Sequence, residues 1–162
     1  MFHAKDGKEI IDISLMSNYN KTMKTSDVIS MISRIRQKVN GFIISEVSRK
    51  GIEGIAVSHG DILYALFRKE RMTMAEIAGK IGKDKSTVTA LVGKLVNHGY
   101  VVKERDTEDS RVTYVVLTAT GRELEPIFEE VSQKVLEVFY TNVSKEEQDE
   151  LLRILSTIER NF

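Results

Sequence analysis

The stretch Thr73–Arg111, TMAEIAGKIGKDKSTVTALVGKLVNHGYVVKERDTEDSR, decides the fold. Thr73 suits a helix N-cap, and Glu76, three residues on, is placed to bond back to the Thr73 amide. Met74, Ile77, Ala78 and Ile81 then follow at helical spacing and give that helix one apolar stripe. Gly82 stops it, because a residue without Cβ enters the left-handed conformation cheaply. A second helix starts almost at once. Asp84 is its N-cap, Val88, Leu91, Val92, Leu95 and Val96 form its buried stripe, and Gly99 closes it. Two β-rich runs come next, Tyr100–Arg105 and Val112–Leu117, separated by a polar connection, Asp106–Arg111, too long for a two-residue turn. Two short helices joined by a tight turn and followed by a hairpin with a charged tip make a winged helix-turn-helix.

The face of the second helix opposite its stripe carries Ser86, Thr89, Ala90, Gly93 and Asn97 at the same spacing, so it is narrow and rich in hydroxyls. Glycine inside a helix costs about 1 kcal/mol relative to alanine. Gly93 sits at no capping position, so a close neighbour is expected on that side. A major groove admits a helix, and Ser, Thr and Asn reach base edges or phosphates there. Ser86, Thr87, Thr89 and Asn97 are therefore candidates for base-edge or phosphate contacts, with Lys83, Lys85 and Lys94 around them as phosphate contacts. At the hairpin tip Arg111 suits a minor groove, whose narrow, negative cleft attracts guanidinium groups, and Asp109 is placed to hold it. The competing readings are a solvated helix surface and an ordinary surface ion pair, which contributes little.

Several short runs together resemble the MarR family of bacterial and archaeal transcription regulators: Met74-Ala-Glu-Ile-Ala78, Ser86-Thr-Val-Thr89, Leu95 with His98-Gly99-Tyr100, Arg105-Asp106 followed by Asp109-Ser-Arg111, and Leu117-Thr118 with Gly121-Arg122. The resemblance covers residues 27–162 in overall plan, with its specific motifs between Thr73 and Arg122. It implies a homodimeric, mostly helical winged-helix protein that binds double-stranded DNA at a pseudo-palindromic, inverted-repeat operator. Such proteins usually act as repressors released by a small ligand, and a phenolic or other lipophilic molecule is the effector suggested. An activator would carry the same DNA-binding residues, and a winged helix used as a protein-interaction module is the alternative class.

Composition bounds these readings. The chain has 162 residues, 41% hydrophobic and 30% charged, enough for one or two small domains with a proper core. Net charge is zero but segregated: residues 68–111 hold 10 Lys/Arg against 7 Asp/Glu, or +3, and residues 122–162 hold 5 against 10, or −5. The positive share lies on the helix-turn-helix and wing, and at +3 it predicts weak non-specific binding with strong salt dependence. Cysteine is absent, which excludes thiol-based oxidation sensing. His3, His59 and His98 lack ligand-like spacing, so no metal site and no cofactor beyond a small-molecule effector are expected. No nucleophile–base pair or phosphate-cradling glycine loop points to an enzyme. No apolar run spans a membrane and the N-terminus has no secretory pattern, so the expected location is cytoplasmic.

The remaining segments complete a mainly α fold with a small β-hairpin wing, a winged helix-turn-helix plus a helical dimerisation layer. Residues 1–24 read as an N-terminal extension, 25–57 and 118–162 as the dimerisation region, and 58–117 as the DNA-binding domain. Val28, Ile32, Ile35, Val39 and Phe42 fall at steps of 4, 3, 4 and 3, the spacing of a helix–helix seam. Gly51 and Gly54 break that helix, and Ser58 is the expected cap of the next, which buries Ile62, Leu63, Leu66 and Phe67. His59, Asp61 and Tyr64 lie where the resembled family places its ligand cavity; His59 and Tyr64 are the ligand-binding candidates, against the plainer reading of Tyr64 as a half-buried aromatic. After the wing, Thr118 caps a helix reaching about Tyr140, which Pro126 either kinks or follows closely from a start near Glu123. Ser144-Lys-Glu-Glu147 opens the last helix with a capping box.

Overall fold

The computed structural model describes residues 24–109 and 111–162; the N-terminal extension, Lys24 apart, lies outside the described residues. After a single 3₁₀ turn, Thr25–Asp27, the chain forms α1 (Val28–Arg49), α2 (Val57–Arg68), β1 (Arg71–Thr73), α3 (Met74–Ile81), α4 (Lys85–Asn97), β2 (Val101–Arg105) and β3 (Thr113–Leu117). It ends in α5 (Ala119–Arg122), α6 (Glu125–Phe139) and α7 (Lys145–Glu159). The three strands make one antiparallel sheet in the order β1-β3-β2, with Thr73 opposite Tyr114 and Val101 opposite Leu117. This is the mainly helical winged-helix architecture expected, with one strand more than the hairpin: β1, whose last residue is the Thr73 cap. Two compact units divide the chain after Gln37, and the core belongs to residues 38–162.

That core is built from the stripes the periodicity marks out. Ile62, Leu63 and Leu66 of α2, Ile77 of α3, Val88, Val92 and Leu95 of α4, and Val101 and Val115 of the sheet are all but sealed from solvent. Burying a side chain of this size contributes roughly 1.5–3 kcal/mol. Val96, expected in the α4 stripe, is instead 37% exposed. The elements α4 packs on, α2, α3 and β2, leave its flank uncovered.

Two caps differ from expectation. The helix expected to be capped by Ser58 begins two residues earlier, with Ala56 at the cap, because the imidazole Nδ1 of His59 accepts the Ala56 N–H at 3.0 Å, the role a Glu or Gln plays in a capping box. Thr118 caps only the four-residue α5, its hydroxyl accepting from the Gly121 N–H at 3.0 Å. A new helix then starts at Glu125 and places Pro126 in its first turn, where the missing N–H has no partner to lose. Pro126 therefore marks a start rather than a kink. The Ser144 capping box forms as expected, with Glu147 N–H on Ser144 Oγ at 3.3 Å and Ser144 N–H on Glu147 Oε2 at 2.8 Å.

An ion network fastens the end of α1 to α6. Glu46, 6% exposed, receives Arg49 at 2.9 Å and Lys134 at 3.3 Å. Lys134 also reaches Glu130 at 3.0 Å, and Lys50 meets the same carboxylate at 2.6 Å. Large apolar side chains stay exposed on three helices: Val28, Ile29, Ile32 and Ile35 on α1, Leu136, Val138 and Phe139 on α6, and Leu152, Leu155 and Ile158 on α7. Among the described residues no helix is long and apolar enough to cross a membrane.

Candidate nucleic-acid interface

Local chemistry caps both helices of the helix-turn-helix. Thr73 Oγ1 accepts the Glu76 N–H at 3.2 Å, and Glu76 Oε2 accepts the Thr73 N–H at 2.7 Å. Lys69, 2.6 Å from the other Glu76 oxygen, and these Thr73 bonds hold the Glu76 carboxyl down at about 2. Gly82 ends α3 at φ +62°.

Asp84 then caps α4, and it does more than cap. Its carboxylate accepts from the Ser86 hydroxyl, from the Thr87 hydroxyl at 2.7 Å and from the Thr87 N–H at 2.8 Å. These donors, the Ser86 hydroxyl foremost, keep the Asp84 carboxyl far below the usual carboxylate range. One turn on, Thr89 donates to the Lys85 carbonyl at 2.8 Å. All three hydroxyls named as contact candidates have thus committed their only proton within the chain and present lone pairs outward.

The surface around them is open. Ser86, Thr89, Ala90, Asn97, Lys83, Lys85 and Lys94 are exposed, and Thr87 is half-buried. A Cβ on Gly93 would meet nothing within 4 Å, so the close neighbour expected there is not found among the described residues. Among the described residues Lys83, Lys85 and Lys94 enter no ion pair.

The wing tip is held by its own carboxylates. Asp106 Oδ1 accepts the N–H groups of Glu108 and Asp109 at 2.9 and 3.0 Å, and Asp106 N–H closes on the Val112 carbonyl at 2.9 Å. Asp109 grips Arg111 by two guanidinium bonds, at 2.9 and 3.0 Å, and also accepts the Arg111 N–H at 3.0 Å. The Arg111 side chain is nevertheless 89% exposed, with three guanidinium N–H groups left for another acceptor. Arg71 is a basic residue of this surface that periodicity missed. It lies on β1 with its guanidinium 4.3 Å above the Tyr114 ring and 3.9 Å from Asp106. A three-residue strand shows no alternation that would have drawn attention to it.

The two ligand candidates part company. A cavity of about 300 Å³ opens between the end of α1, α2 and α6, and Tyr64 lines it with its hydroxyl accepting from Arg68 at 3.1 Å. His59 is not on that wall. It is 4% exposed, its Nε2 has no hydrogen-bond partner among the described residues, and its basic neighbours are Lys94 and His98 at the end of α4. Burial, then Lys94, then His98 depress its pKa below 6.5. Protonation at Nδ1 would also forfeit the Ala56 N–H. The unfolded chain therefore binds the proton more readily than the folded one, so this contribution to stability is complete above about pH 6.5 and is lost as pH falls toward the depressed folded value. Thermal unfolding across this window should show a loss of stability in acid that His59→Gln, which keeps an acceptor for Ala56, reduces. An unchanged pH profile in that variant would remove His59 as its source.

Comparison with known proteins places this geometry. The MarR family profile matches residues 53–112, from the turn before α2 to the wing. The HTH-type transcriptional regulator SarZ of Staphylococcus haemolyticus is 30% identical over 102 residues, 62% of this chain and 68% of that protein. Among solved structures, a MarR transcriptional regulator from Methanosarcina mazei Go1 superposes with a TM-score of 0.73 at 23% identity, covering 85% of this chain and 96% of that one. The S. aureus MepR chain of a MepR–DNA complex superposes with a TM-score of 0.74 at 19% identity, covering 86% and 99%.

Proposed function

The chain belongs to the MarR family and is a transcription regulator, and from that premise we propose that it binds a pseudo-palindromic operator as a homodimer and represses transcription until a small ligand releases it. The observation that carries the DNA reading is the α4 face, on which exposed hydroxyl acceptors, an open glycine and lysines that enter no ion pair among the described residues lie beside a wing arginine already aimed by Asp109. In this reading α4 enters the major groove. Ser86 and Thr89, left with lone pairs, accept from the amino groups of adenine or cytosine, since phosphate oxygens offer no proton. Asn97 both donates and accepts, Thr87 sits at the groove wall, Lys83, Lys85 and Lys94 contact phosphates, and Arg111 enters the minor groove.

The exposed apolar residues of α1, α6 and α7 support the dimer, because a two-fold partner is the commonest way to cover such faces. Two copies of α4 then reach successive major grooves about 34–36 Å apart. The cavity beside Tyr64 supports the ligand response, with a phenolic or other lipophilic molecule as effector, and the protein acts in the cytoplasm, on the chromosome. Capture of genomic fragments by the purified protein at near-physiological salt tests the whole reading. Enrichment of an inverted repeat with half-sites one helical turn apart, next to genes whose transcripts rise when the regulator is deleted, is the expected result. Retention of no fragment above background overturns the operator, and falling transcripts overturn repression.

A further inference from the structure

The cavity at Tyr64 is not chemically neutral toward its ligands. Its walls are apolar, with Ile43 and Val47 of α1 and Phe128 and Val131 of α6 among them. One charged side chain interrupts them, Asp61, and among the described lining residues there is no Lys, Arg or His. An anion entering this space meets a carboxylate with no counter-charge on the wall, whereas a cation finds its partner in place.

The surroundings already act on that carboxyl: partial burial raises its pKa, and the cation that offsets the rise, Lys83, stands off the wall on the α3–α4 turn. Asp61 itself is exposed, so an arriving ammonium need shed only part of its water to reach it. The aromatic walls favour the same sign of charge. The Tyr64 ring already has the Arg68 guanidinium 5.1 Å above it, so Phe128 is the wall ring that meets an incoming cation.

We infer that the ligand of this cavity is a lipophilic cation, an aromatic or alkyl amine whose ammonium pairs with Asp61 while its apolar body lies against α1 and α6, and that aromatic acids are excluded. The inference rests on the reading of the cavity as the effector site. Calorimetric titration of the full chain at neutral pH with three probes of one size, phenylbutylamine, phenylbutanol and phenylbutyrate, separates the two. The amine should bind roughly tenfold or more tightly than the acid, with the alcohol between them. Asp61→Asn should abolish the advantage of the amine and leave alcohol binding unchanged, which also shows that the variant is folded. Equal binding of amine and acid, or a preference that survives Asp61→Asn, overturns the inference while the effector cavity stands. Failure of all three probes to bind overturns both.

Discussion

Gly121→Ala is expected to lower stability by about 3 kcal/mol, the upper end for overpacking a close-packed site. A Cβ at this buried position would overlap the carbonyl oxygen of Tyr100, with the carbonyl carbon 2.9 Å away and Leu117 Cδ2 at 3.2 Å. Relief by movement is blocked. The Tyr100 carbonyl accepts the Thr118 N–H at 3.0 Å, and the Thr118 hydroxyl, which donates to the Gly99 carbonyl at 2.6 Å, is the cap of the helix that contains Gly121. In a chain of this size the loss corresponds to a fall in Tm of roughly 6–12 °C. Gly79→Ala is the matched control, since a Cβ there meets nothing within 4 Å and removes the helical cost of glycine. A Gly121→Ala protein as stable as the wild type would show that the wing-to-α5 junction is far softer than its hydrogen bonds imply.

Arg111→Ala should weaken operator binding by roughly 5- to 150-fold while leaving thermal stability nearly unchanged. The stability half follows from position: the side chain is 89% exposed and its partner, Asp109, lies on the same loop. The binding half follows from preorganisation. Two guanidinium bonds to Asp109 fix the side chain before DNA arrives, so little rotamer freedom is lost on docking. Arg111→Lys keeps the charge but cannot make the planar two-bond grip, and its affinity should fall between the two. Equal affinities for all three proteins in a salt-matched titration would remove the wing from DNA recognition.

Legibility from sequence followed the range of the interaction responsible. The helix-turn-helix was readable almost residue by residue because Thr73, Glu76, Gly82, Asp84 and Gly99 act within one helical turn of themselves, and the structure returns each in the role expected. The Asp109–Arg111 grip was readable for the same reason. What failed depended on neighbours distant in sequence or on side chains used unusually. β1 is a strand only because β3 pairs with it, and no three-residue segment announces that. Val96 carries the right periodicity, yet the described residues leave it 37% exposed. Ser58 is a better cap by type, but an imidazole three residues beyond the true cap took the role. His59 and Tyr64 share a helix but face different neighbours, and Asp61, between them in sequence, proved to be the charge on the cavity wall. Periodicity places residues on a face of a helix; it does not say what that face meets.

The Thr118 bonds to Gly99 and Tyr100 join the end of β3 to the segment that terminates α4. Helix and wing are thereby two prongs of one rigid gauge, their separation set inside a single protomer. In the proposed dimer, ligand occupancy would then leave the letters of a half-site unchanged and alter only the gap tolerated between two half-sites. Operators for this protein should diverge in evolution chiefly by their spacers, with the half-site word and its minor-groove flank inherited together.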